Sequence, residues 1–302
     1  MVRKILIVLL ATALSLSLMA CSRDDGDKKP AGKITIGSKN FTEQIILGEM
    51  LALFIEDQTE IKVERKLNLG GTMICFGALK QGDLDLYPEY TGTGLTAILK
   101  QKAITDPDTV LKTVKSEFKK QYDLVWLEPF GFNNTYTLTM RGDHARELGV
   151  SQISDLQKYR DNLKSGFTAE FMERPDGYPG LIKHYGFEFA VRPKDFDPGL
   201  MYKAVSEGSV DVICAFATDG RIPAYGLKVL EDDKRFFPPY HAAPLIRAAT
   251  LKKYPQLTKV LNILADRIDN DKMATMNYRV DKQGVGHRQV AEEFLRSNGL
   301  IK

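Results

Sequence analysis

The chain has 302 residues, 43% hydrophobic and 27% charged, with 42 basic against 39 acidic residues for a formal net charge of +3. That length accommodates two domains or one large one, and the composition is that of an ordinary soluble globular protein. The small positive excess argues against a nucleic-acid binder, which needs a concentrated basic face.

In chain order, the first signal is Arg3 and Lys4 followed by an apolar run from Ile5 to Leu18. Small and apolar residues Leu18, Met19 and Ala20 then lead into Cys21. A basic start, a short apolar core and a small-residue cleavage site predict a secretory signal peptide over residues 1–20. The run is short for a membrane span. Leu-Met-Ala-Cys resembles the lipobox of bacterial lipoproteins, in which the cysteine is lipidated and becomes the new N-terminus. Each buried acyl methylene would contribute about 0.8 kcal/mol to membrane attachment. The polar segment up to Gly32, with Pro30 and Gly32, reads as a tether over 21–32. An exported protein, lipid-anchored on the outer face of the cytoplasmic membrane or in the periplasm, is expected.

The body opens with Lys33-Ile34-Thr35-Ile36-Gly37, an alternating strand ended by glycine. Asn40 with Glu43 three positions later reads as a helix start, and Ile46, Leu47, Met50, Leu51 and Phe54 follow at helical spacing. Ile61 to Leu67 alternates as a strand. Thr72 is placed as the cap of a second helix, and 84–86 as a short strand. A helix near 107–119, strands over 124–127 and 210–214, and a helix near 288–297 complete the pattern. Strands alternating with helices predict an α/β fold with mainly parallel sheet. Cys75 and Cys214 sit among apolar neighbours and read as buried thiols, with a disulfide between them left open.

Catalytic signatures are missing: there is no G-x-S-x-G, H-E-x-x-H or Walker loop. His144, His184, His241 and His287 lack metal-ligand spacing. Gly92-x-Gly94-x-x-Ala97 echoes a dinucleotide turn without the acidic residue about 20 positions on. No enzyme activity, metal or cofactor is expected. The segment Tyr87-Pro88-Glu89-Tyr90-Thr91-Gly92-Thr93-Gly94 reads as a polar loop at a strand end, where α/β sheets bind ligands.

That segment, with Gly37-Ser38-Lys39-Asn40-Phe41-Thr42-Glu43-Gln44 and Thr218-Asp219-Gly220-Arg221-Ile222, resembles the binding proteins of osmoprotectant ABC importers. The resemblance runs from about Lys33 to the C-terminus. It implies a two-lobed, periplasmic-binding-protein-like (type II) fold with the ligand in a cleft, lobe 1 over 33–136 and 237–302 and lobe 2 over 137–236. It implies a quaternary-ammonium ligand such as glycine betaine, choline or carnitine, caged by Tyr90, Tyr136, Phe216 and Tyr240. Phe216 departs from the tyrosine common there, which loses a hydroxyl but keeps an aromatic face. Lys39 and Thr93 would meet a betaine's carboxylate, with Arg174 as a partner from the opposite lobe, since an arginine fork suits a carboxylate. Tyr202 reads as core and Asp219 as the organiser of the loop that presents Phe216. Hinge closure on the ligand would form the docking surface for a membrane permease, with the binding protein a monomer. Rival readings are a sensory module for the same ligands, a choline- or ergothioneine-specific binder, and an exported enzyme.

Overall fold

The computed structural model describes residues 32–302. The expected signal peptide, Cys21 and nearly all of the tether lie outside the described residues. Strand β1 (Gly32–Gly37), helix α1 (Thr42–Gln58), β2 (Ile61–Lys66) and α2 (Thr72–Gln81) follow the sequence pattern closely. Next come β3 (Leu86–Tyr90), α3 (Pro107–Tyr122) and β4 (Leu124–Trp126). Helix α3 starts on a good local signal, because the Asp106 side chain accepts from the Thr109 N–H and Pro107 needs no donor partner in the first turn.

Three local expectations are overturned. Asn40 does not cap α1: Phe41 holds that position and makes no side-chain cap, while Glu43 turns inward and is buried. Thr72 is the first helical residue of α2, and Gly71 is its N-cap. The third strand is also longer and later than 84–86, running through Tyr-Pro-Glu-Tyr with all five residues of β3 buried. With both faces covered there is no alternation to read. Pro88 speaks against a central strand, yet here it lies opposite Pro244 of the neighbouring strand, so neither side presents an N–H at that point.

The second half supplies β5 (Tyr136–Arg141), β6 (Ser165–Phe167), α4 (Ala169–Glu173), β7 (Lys194–Asp195), β8 (Val212–Phe216) and β9 (Leu227–Val229). The chain then returns through β10 (Ala242–Arg247) and ends with α5 (Asn270–Asp281) and α6 (His287–Ser297). Two five-stranded sheets result, in the orders β2-β1-β3-β10-β4 and β7-β6-β8-β5-β9. The expectation of mainly parallel sheet needs correction, since both sheets are mixed. β1 is parallel to β2 and β3, and β6 to β7 and β8, but β10 runs antiparallel to β3 and β4 and β5 runs antiparallel to β8 and β9. The physical reason is that the chain passes between sheets twice. β5 follows the first passage and β10 the second, and each enters its sheet from the far side. The two passages pair with each other, Asn133 bridging His241 and the Asn134 N–H donating to the Tyr240 carbonyl at 3.1 Å.

Helix α1 is buried nearly all round, from Ile46 to Ile55, because α6 packs on the face it turns away from the sheet. Its apolar residues therefore form a core rod, a broader burial than a single stripe. Cys75 and Cys214 are free thiols, each pushed up to about 12 by burial, and they sit in separate apolar clusters. No helix among the described residues is long and apolar enough to cross a membrane.

Candidate functional site

Between the two sheets lies a cavity of about 740 Å³, large enough for a small organic solute. Lys39, Tyr90, Thr93, Tyr136, Arg174, Phe216 and Tyr240 all line it, so every ligand-binding residue singled out in the sequence reaches one space. β3 ends on Tyr90, β5 begins with Tyr136, and the register of β5 against β8 sets Tyr136 directly opposite Phe216. Their rings are 5.3 Å apart, and Tyr240 stands T-shaped on Tyr136 at 5.6 Å. Gly92 permits this approach: a Cβ there would lie 2.8 Å from the Tyr240 ring and 2.7 Å from the Pro239 carbonyl oxygen.

A further ring was missed. Phe41 stacks on Phe216 at 5.3 Å and 4° and continues to Tyr90 at 6.3 Å, and it also lines the cavity. The order Tyr90–Phe41–Phe216–Tyr136–Tyr240 makes one aromatic wall. The signal was Phe41's place inside the Ser-Lys-Asn-Phe motif, masked by reading that stretch as the start of a helix.

The charged residues are less available than the sequence suggested. Lys39 is 2% exposed; its Nζ lies 2.6 Å from Glu89 Oε1, 3.0 Å from Thr72 Oγ1 and 5.0 Å from the Tyr90 ring centre. Arg174 uses its fork on a neighbour two residues on, Nε to Asp176 Oδ1 at 2.8 Å and Nη2 to Oδ2 at 2.5 Å. Nη1 donates to Glu170 at 3.1 Å and Nη2 also reaches Thr93 Oγ1 at 3.2 Å. Of the five guanidinium N–H groups, one on Nη1 is left to meet a ligand. Burial opposes ionisation of Asp176, but Arg174 beside it, with donors that include Tyr240, holds its carboxyl below the usual range. Glu170 behaves alike: burial works against its charge, and Lys39 and Arg174 outweigh it.

Several of these bonds join elements of the two sheets. Tyr240 Oη donates to Asp176 Oδ2 at 2.6 Å, Arg174 to Thr93, and the Thr72 N–H to Glu170 Oε1 at 3.4 Å. Burial first, and the neighbouring carboxylates second, push the Tyr90 and Tyr240 phenols well above their ordinary pKa, so both remain neutral donors. Tyr202 lies behind the cavity as core, its Oη accepting from the Phe216 N–H at 2.9 Å. The Asp219 N–H donates to the Phe216 carbonyl, and its carboxylate holds Arg221 at 2.9 and 2.6 Å. Together these contacts fix the loop that presents Phe216.

Two lobes linked by paired passages, with a ring-lined cavity between them, define a solute-binding protein. Residues 32–297 match the family described as the substrate binding domain of ABC-type glycine betaine transport system, and the chain belongs to that family. The Listeria monocytogenes carnitine transport binding protein OpuCC is 38% identical over 298 residues, 98% of this chain and 96% of the relative. A glycine-betaine-binding protein of Pseudomonas aeruginosa is 33% identical over 282 residues, 90% and 89% respectively. The Helicobacter pylori ergothioneine permease/binding protein EgtU is 36% identical over 98% of this chain, which spans 52% of that protein. A crystal structure of a glycine betaine/carnitine/choline ABC transporter protein superimposes with a TM-score of 0.73 at 36% identity, covering 89% of this chain and 99% of that one. This is a transport family, not an enzyme family. The chain is thus an extracytoplasmic substrate-binding component that works with an ABC permease.

Proposed function

We propose that this protein captures a small quaternary-ammonium solute, a carboxylated betaine such as glycine betaine or carnitine, and delivers it to its permease. The observation that carries the reading is the wall of five rings at one side of the cavity with Lys39 beside Tyr90. A quaternary ammonium has no N–H to donate, so aromatic faces are its natural partners. Each contributes roughly 0.5–2 kcal/mol, and several together supply a large share of the ~8 kcal/mol that micromolar binding needs. Lys39, Thr93 and the remaining Nη1–H of Arg174 receive the carboxylate end. Lobe 1 comprises 33–136 and 237–302 and lobe 2 comprises 137–236, with closure between them and the binding protein a monomer. Titration calorimetry with glycine betaine, carnitine, choline and ergothioneine tests the ligand class, and heat from none of them refutes it.

Lipid attachment at Cys21 is part of the same proposal, supported by Leu18-Met19-Ala20-Cys21. Labelled palmitate should enter the wild-type protein and be lost in Cys21→Ala. Equal labelling of both rejects the anchor.

A further inference from the structure

Glu43, in the first turn of α1, is 2% exposed. Oε1 accepts from Tyr90 Oη at 2.7 Å and Asn134 Nδ2 at 2.8 Å. Oε2 accepts from Thr218 Oγ1 at 2.5 Å and Asn277 Nδ2 at 3.1 Å. The two amides are oriented by other bonds: Asn134 Oδ1 takes the Thr218 N–H at 3.3 Å, and Asn277 Nδ2 also meets the Thr218 carbonyl at 3.0 Å. Four donors on two oxygens suit an ionised carboxylate, whereas a protonated acid would add a donor of its own. Burial raises the Glu43 pKa above the ordinary carboxylate value, and hydrogen bonds from Thr218, Tyr90, Asn277 and Asn134 offset only part of that rise.

Keeping such a charge without a cationic partner is costly, and a neutral glutamine could satisfy most of the same donors. Two cations around this cluster are engaged elsewhere. Lys39, across the Tyr90 ring, is held by Glu89, while Arg221, on the loop after β8, is closed on Asp219 and on Asp281 of α5 at 3.3 Å. The negative charge of Glu43 therefore stands directly behind Tyr90, whose hydroxyl touches it and whose ring lines the cavity.

We propose that Glu43 is the electrostatic selector of this site: acting through Tyr90 without touching the ligand, it makes the cavity prefer a permanently cationic head group over a neutral one of the same shape. The inference rests on the quaternary-ammonium reading above. The counterpart of glycine betaine without the cationic head is 3,3-dimethylbutyrate, in which carbon replaces the nitrogen and only the carboxylate stays charged. A cation on the far side of the ring lies about 8–10 Å from the carboxylate, where Coulomb attraction at an effective dielectric of about 20 gives a roughly ten- to thirtyfold preference.

Glu43→Gln is the decisive variant. Its Oε1 can keep the Tyr90 and Asn134 donors, its Nε2 can donate to Thr218 Oγ1, and Asn277 can turn to offer Oδ1, which lacks a partner as it stands. Titration of glycine betaine, competition by 3,3-dimethylbutyrate and ligand-free melting are measured on wild type, Glu43→Gln and Glu43→Asp. The expected result is betaine binding weakened roughly ten- to thirtyfold in Glu43→Gln, with the dimethylbutyrate affinity and the melting temperature not lowered. Glu43→Asp, which keeps the charge, should retain the preference for betaine. Betaine affinity within threefold of wild type overturns the proposal. So does equal weakening of both ligands, or a betaine loss that tracks a fall in melting temperature, since either marks a structural role only. If Glu43→Gln does not fold, loss of the preference in Glu43→Asp overturns it. Wild type that binds betaine while a variant gives one of these results rejects this inference alone; wild type that binds no quaternary ammonium rejects the functional reading and this inference with it.

Discussion

Replacing Tyr240 with phenylalanine separates two roles of one side chain. The ring remains, T-shaped on Tyr136 at 5.6 Å, so its aromatic face still lines the cavity. What disappears is the hydroxyl that donates to Asp176 Oδ2 at 2.6 Å. That bond runs from the segment leading into β10 to the segment following α4, and so ties one sheet's elements to the other's. Asp176 is 3% exposed and keeps its ties to Arg174 and the Thr96 hydroxyl beside it, so what the variant removes is the Tyr240 bond itself. A hydrogen bond to a charged group contributes about 1.5–3 kcal/mol. With the lobes apart, water solvates both partners, so the loss falls on the ligand-gripping form. Ligand affinity should drop by about ten- to a hundredfold. Titration calorimetry with glycine betaine on wild type and Tyr240→Phe measures it, and ligand-free melting confirms that the variant is folded. A dissociation constant within threefold of wild type would refute the idea that this bond helps to hold the lobes on the ligand.

Removing a whole ring from the wall, as in Tyr90→Ala or Tyr136→Ala, should weaken betaine binding roughly tenfold or more, since cation–π attraction and apolar contact are lost together; unchanged calorimetry in both would reject the assigned wall. The Asp176 carboxyl has its pKa lowered in the fold, so its contribution is present above the unfolded aspartate value of about 3.9 and is lost as pH falls through the lower folded value. The melting temperature of wild type should therefore exceed that of Asp176→Asn at about pH 5, and the gap should narrow as the pH falls below about 3.9. A gap that does not change with pH would contradict the charge pairing with Arg174.

Much of the scaffold was legible because its signals are local. β1, β2, α3 and α6 follow from alternation, helical spacing and the Asp106-Pro107 start. The tyrosines expected to cage a ligand came from resemblance in short motifs rather than from periodicity, which made Tyr90 equally a core residue. Arg174 shows a signal that was present and passed over: its carboxylate partner Asp176 is two residues away in Glu-Arg-Pro-Asp-Gly, and it takes most of a fork that looked free for a ligand.

Other features existed only once the chain had folded. β3 could not be bounded, because burial on both faces erases alternation and Pro88 reads as a breaker until Pro244 is seen opposite it. Phe41 joins the wall through Phe216, a residue far along the chain on the other sheet. Asn40 and Glu43 had the spacing of a helix cap, but the donors that claim Glu43 stand 47, 91, 175 and 234 positions away. The sequence by itself determined an α/β body and, through motif resemblance, the aromatic residue types a quaternary ammonium would need. Tertiary structure alone decided which rings share a wall, which cations are already paired, and that a buried carboxylate stands behind Tyr90. Hydrophobic periodicity is written between near neighbours, whereas the field inside a cavity is set by groups that meet only when distant segments close around it.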